Sequence, residues 1–166
     1  MTTDDAVVDV SQDWVLACDV QQRFMRGLGR TSDFVDYSAQ CRQVRALGGD
    51  CYDFMPLTDD RLALAVGDAS GKGVAAALMI ASVQSALRTA ALFTGNDLAA
   101  LLKIVNLQAF ASSLTDRYAT VFYGVFDRGD THATVRECRT HSPDYSSASR
   151  LNRYARDGRG TGWYVS

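Results

Sequence analysis

Residues 47–73, LGGDCYDFMPLTDDRLALAVGDASGKG, read as two short apolar strands joined by a tight polar turn at Thr58-Asp59-Asp60. Each strand carries a Gly-Asp pair at the end away from that turn, Gly49-Asp50 and Gly67-Asp68. With the hairpin centred on Asp59, Asp50 and Asp68 lie equally far from the centre and face each other across the ladder, side chains on one face. Like charges directly opposite destabilise a sheet, so a purely structural sequence avoids them there. A bound cation reverses the sign of that argument, because two close carboxylates make a site for a hard metal.

The rest of the chain frames this hairpin. At 166 residues it fits one domain with a real core, and its 47% apolar and 22% charged content is that of an ordinary globular protein. The net charge of -2 gives no electrostatic case for nucleic acid or an acidic membrane surface. No apolar run is expected to approach a membrane span, although Val74–Ala81 is locally very hydrophobic. The N-terminus lacks the pattern of a signal peptide. Cys18, Cys41, Cys51 and Cys138 form no C-x-x-C pair, which fits reduced thiols in a cytoplasm.

Residues 1–12 are polar and expected to fray. The following WVLACDVQQRFMRGL places Trp14, Ala17, Val20 (or Gln21), Phe24 and Leu28 on one face of a helix ended by Gly27 and Gly29. That helix either packs on its own domain or couples to a partner. FVDYSAQCRQV is rich in strand formers and predicts a strand from about Phe34 to Val44. In the hairpin, Tyr52, Phe54, Leu62, Leu64 and Val66 share the Asp50/Asp68 side, while Cys51, Met55, Leu57, Ala63 and Ala65 line the other. Two apolar faces predict a layered sandwich. Asp53 breaks the second face, either as an outer-shell metal residue or through a local hydrogen bond.

After Gly73, VAAALMIASVQSALRTAALF predicts a helix buried on most sides. Thr94-Gly95-Asn96-Asp97 supplies a turn and N-cap for a second helix with Leu98, Leu101, Leu102, Val105 and Ala109 inside. Arg117–Asp127 is strongly strand-forming, which makes the order an α+β one. Beyond it, residues 128–166 are rich in Arg, Ser and Gly and read as a disordered basic tail.

The usual catalytic constellations are missing. Both histidines, His132 and His141, fall in the tail, so a His triad or His-ligated zinc is not expected. GDASGKG is no P-loop, since only three residues separate Gly67 from Gly71 and Gly73 follows Lys72. An oxygen-only site remains, made of Asp50, Asp68 and a backbone carbonyl just after Asp68, which suits magnesium or manganese. Glycines 67, 71 and 73 let the backbone approach a metal or phosphate, or merely turn the chain into the helix.

Gly48–Phe54 (GGD-x-YDF), Val66–Gly73 (VGDASGKG), the AALM of the next helix, Asn106 and ATVFYGVFD resemble the bacterial PPM/PP2C-type serine/threonine phosphatases of the sporulation stage II E and sigma-factor-regulator class. The resemblance covers roughly residues 16–127 and implies a four-layer αββα sandwich around a two-metal centre. It implies Asp50 and Asp68 as metal ligands, Asp68 bridging, with the Ala69 carbonyl as a further ligand. It also implies in-line attack of metal-activated water on phosphoserine or phosphothreonine of a small anti-anti-sigma-type protein, with Mn2+ or Mg2+ as cofactor. An upstream sensor domain, or a dimer, would act through the N-terminal helix. Gln43 departs from the pattern where the family often has proline.

The larger departure follows Asp127, where the family's Asn-Ala-Gly-His run and later acidic motifs do not appear. Reading Thr131–Ser149 from the second base of each codon can yield HTLRYVNAGHTPPIILR, and the chain's end can yield TGTLETGGxLVGMF. The expectation is a one-base shift near Asp127–Thr131. The chain then divides into residues 1–30, a tail and linker helix; 31–127, a partial phosphatase domain; and 128–166, an aberrant tail. Without the downstream acids, a catalytically inactive regulatory or binding module is the alternative function.

Overall fold

A computed structural model describes residues 10–25, 32–35, 37–43, 46–113, 116–129, 132–140, 150–156 and 163–165. In chain order the elements are α1 (Val10–Met25), β1 (Asp50–Thr58), β2 (Arg61–Ala69), α2 (Val74–Phe93), α3 (Leu98–Ser112), β3 (Ala119–Asp127), β4 (His132–Arg139), β5 (Arg150–Arg156) and β6 (Trp163–Val165). The strands form one antiparallel sheet in the order β1-β2-β3-β4-β5-β6. The α+β class expected from the sequence holds. Of the four expected layers, the described residues supply one sheet and the helices on one of its faces.

The hairpin turns at Asp59-Asp60, and its register pairs Cys51 with Gly67 and Tyr52 with Val66, with one irregularity between Pro56 and Thr58. Strand alternation then sorts the side chains. Cys51, Met55, Ala63, Ala65, Val121, Tyr123 and Val125 point into the core and are almost fully buried. Against them lie Ala76, Ile80, Val83 and Leu87 of α2, spaced three to four residues apart as one helical face. Burying each large aliphatic side chain contributes about 1.5–3 kcal/mol. Gly67 permits this close approach, since a Cβ there would stand 3.1 Å from both Cys51 Sγ and Ile80 Cδ1. Helix α3 buries Leu98, Leu101, Leu102, Val105 and Ala109 as predicted, and Asp97 caps it by accepting the Ala100 N–H at 2.9 Å.

Several expectations change. Helix α2 is buried on one side only: Leu78 and Phe93 are exposed. Its 20 residues do have the length and apolar composition of a membrane span, contrary to the sequence expectation, but its inner face packs on the sheet. Helix α1 starts at Val10, and its contact face is Gln21 and Met25, whereas Trp14 and Val20 are exposed. Leu28 and the glycines expected to end it lie outside the described residues.

The strand expected from Phe34 to Val44 is irregular chain wherever it is described. Strand propensity needs a partner ladder. Here the segment lies over the outer sheet face, Tyr37 stacking on Phe54 at 4.2 Å, and the Gln43 side chain, not the backbone, donates to the Asp50 carbonyl at 2.8 Å. That outer face is only partly covered, with Val66 half exposed. At the hairpin tip, Arg128 ties the layers together. It donates to Asp60 at 2.5 Å and to Asp33, with its guanidinium 4.9 Å from the Phe34 ring.

Within the stretch 128–166, expected to be disordered, the described residues include β4, β5 and β6, which extend the sheet. Composition hid this because a sheet edge supplies half the hydrogen bonds that a polar strand needs. Val135 and Cys138 are the buried residues that anchor β4.

Candidate metal centre

Asp50 and Asp68 are direct partners across the β1–β2 ladder, as the hairpin symmetry predicts. Both are exposed, on the sheet face opposite the helices. Partial burial of its carboxyl, and then the Asp50 charge with which it also shares a side-chain hydrogen bond, push Asp68 above its ordinary 3.8. A hard divalent cation between two facing carboxylates would offset the repulsion between them.

The backbone around the pair is built for close approach. The Ala69 N–H donates to the Gly49 carbonyl at 3.0 Å. A Cβ on Gly49 would come within 2.6 Å of the Ala69 oxygen, so only glycine fits beside that carbonyl. Asp50, Asp68 and Ala69 line one cleft of about 290 Å3, together with Gly49, Ser70, Gly71, Lys72 and Gly73. A second groove of about 560 Å3 runs from the same two acids over Tyr52, Val66 and Phe122, between Arg42 and Glu137.

Neighbours hold this backbone in place. Gln21 of α1 makes two hydrogen bonds to Gly48, donating to its carbonyl at 2.7 Å and accepting its N–H at 3.2 Å. On the other side, Ser70 exchanges bonds with Tyr118, its N–H donating to the Tyr118 carbonyl at 2.8 Å and its Oγ accepting the Tyr118 N–H at 3.0 Å. Arg117 donates to the Ser70 carbonyl at 3.1 Å. The sequence reading missed these braces, since each joins segments far apart in the chain.

Asp53 does not join the pair. It faces the helices, fully buried, and its carboxylate receives Arg88 at 2.6 and 3.1 Å. Its possible outer-shell role gives way to an ion pair that also ties Arg88 to the Phe24 carbonyl at 2.8 Å. The signal was a lone arginine in an otherwise apolar helix.

Among the described residues, Asp50 and Asp68 have no third acidic, histidine or cysteine side chain grouped with them. Their donor chemistry fits a hard cation: two anionic oxygens ligands on one face, with a backbone carbonyl beside them.

A sequence model of the family described as Stage II sporulation protein E (SpoIIE) matches residues 58–161, reaching well past Asp127. A comparison with curated proteins gives no match. Among solved structures, the chain is similar to the RsbU and RsbW domains of a Mycobacterium tuberculosis protein, at 25% identity and a TM-score of 0.51. That likeness covers 75% of this chain and 36% of the other, so the chain spans little more than a third of the solved one.

Proposed function

The chain belongs to the SpoIIE family of PP2C-type phosphatases, and from that membership we propose that it is a metal-dependent phosphatase domain acting on phosphoserine or phosphothreonine of a regulatory protein. The observation that carries the proposal is Asp50 facing Asp68 beside a glycine-lined cleft. Asp50, Asp68 and the Ala69 carbonyl would hold Mn2+ or Mg2+. Such an ion, when bound, supplies Lewis-acid activation of water and neutralises phosphoryl charge.

The chain's own residues do the positioning. The ladder fixes the two carboxylates opposite one another, and Gly49 leaves room beside the Ala69 carbonyl that a side chain would fill. Arg117 and Tyr118 hold the Ser70 loop at the cleft wall. The RsbW domain beside RsbU in the similar mycobacterial protein supports a regulatory phosphoprotein of the anti-anti-sigma type as substrate. Four free cysteines support a reducing, cytoplasmic setting. The exposed Trp14, Val15, Leu16 and Val20 of α1 support a coupling or dimer contact there.

A second reading is a catalytically inactive module that keeps the phosphoprotein surface. The observation favouring it is that two carboxylates alone are grouped among the described residues. A Mn2+-dependent phosphatase assay on this chain and on Asp68→Ala separates the readings. Turnover lost in Asp68→Ala supports the enzyme. Equal activity in both removes it, and metal binding without turnover supports the inactive module.

A further inference from the structure

Resting on the phosphatase reading, we infer that Lys72 is the residue that anchors the substrate's phosphate in the Asp50–Asp68 cleft. The difficulty for any phosphomonoester is electrostatic, because the cleft it must enter is lined by two carboxylates. Lys72 is the cation in that lining. It is exposed at the rim and has no hydrogen bond or ion pair among the described residues, so its three donors are available to an incoming anion.

The loop presents it there by backbone geometry. Gly71 and Gly73 both take left-handed φ values, 96° and 74°, so the chain turns on each side of Lys72 before α2 begins. Arg117, another cation beside this loop, donates to the Ser70 carbonyl and lies against Gly71. Arg117 therefore braces the loop, and Lys72 is left to meet the ligand. Arg42 lines the neighbouring groove and is the competing anchor.

The test measures inorganic phosphate binding by calorimetry in saturating Mg2+, alongside KM for a phosphoserine peptide. Lys72→Ala is expected to weaken phosphate binding by about tenfold or more, the range for hydrogen bonds to charged groups. Lys72→Arg should retain most of the affinity, and Mg2+ binding should be unchanged in both. Lys103→Ala, the same charge change on α3 away from the cleft, should leave phosphate affinity unaltered. Lys72-dependent phosphate binding in a chain that turns nothing over supports the anchor while the phosphatase reading fails. A working phosphatase whose KM and phosphate affinity ignore Lys72→Ala overturns the anchor alone. It is equally overturned if wild-type protein binds no phosphate, if Lys103→Ala matches Lys72→Ala, or if Arg42→Ala carries the loss.

Discussion

Asp50 and Asp68 stand directly opposite across the β1–β2 ladder, and burial and then the Asp50 charge raise the Asp68 carboxyl, which sets function against stability at one pair. Asp68→Asn should stabilise the metal-free protein at pH 7 by up to about 1 kcal/mol, the scale of one cross-strand pair. The sign follows from the raised carboxyl. Its penalty is absent below the ordinary 3.8 and develops as pH rises through the higher folded value. Thermal unfolding in EDTA should show no gap between the proteins near pH 3 and a full gap at neutral pH. Added Mn2+ should reverse the order, stabilising wild type alone.

Two glycines near the site should respond differently. Gly49→Ala drives a Cβ against the Ala69 oxygen at 2.6 Å and should cost about 1–3 kcal/mol, with weaker Mn2+ binding. Gly73→Ala meets open space and carries a backbone penalty of about 1–3 kcal/mol, because φ 74° with ψ −151° is a conformation nearly confined to glycine. Urea unfolding and metal titration of both variants check the contrast, which is the loss of metal affinity confined to Gly49→Ala.

Breaking the buried ion pair should be severe. Arg88→Met leaves Asp53 fully buried without its partner, a loss of about 3 kcal/mol or more. Arg88→Met with Asp53→Leu should recover much of that, a non-additivity that a double-mutant cycle measures directly.

Thiol chemistry should split the cysteines in two. Burial pushes the Cys51 thiol up to about 12 and Cys138 up to about 11, so neither should react with a thiol reagent at pH 8 in the native state. Cys18 and Cys41 are partly exposed, with Cys41 slowed because burial and then Asp50 raise its thiol. Native protein should titrate as two thiols and denatured protein as four.

The reading frame is checked at the gene. Codons for Thr131–Ser149 read one base on should spell the Asn-Ala-Gly-His run, and expression of the restored frame should tighten Mn2+ binding. Codons that cannot encode that run remove the idea.

The parts legible in the sequence were those governed by local period. Asp50 and Asp68 followed from hairpin symmetry, and the inner face of α3 from its leucine spacing. What sequence did not reveal depends on partners far along the chain. The strand expected at Phe34–Val44 has no ladder among its described residues, where Gln43 spends its side chain on Asp50 and Tyr37 lies on Phe54. On α1 the expected face held at Gln21, the alternative to Val20, but failed at Trp14 and Val20, because the helix is held by the Gln21 side chain bonding to Gly48, 27 residues away. Strand β4 was hidden by charged residues whose backbone nevertheless pairs with β3.

The strands follow chain order across the sheet, with α2 and α3 inserted between β2 and β3. Only two residues close the β1–β2 hairpin, whereas the β2–β3 ladder joins Arg61 to Asp127 across both helices, so the hairpin is the local unit and the rest of the sheet depends on long-range pairing. The two acids sit at the β1–β2 edge of that sheet and β6 closes the opposite one. Their spacing is set by the most local pairing in the sheet. The far edge, β6, is separated from that hairpin by β3, β4 and β5, so the register that sets the two acids opposite one another is not made there.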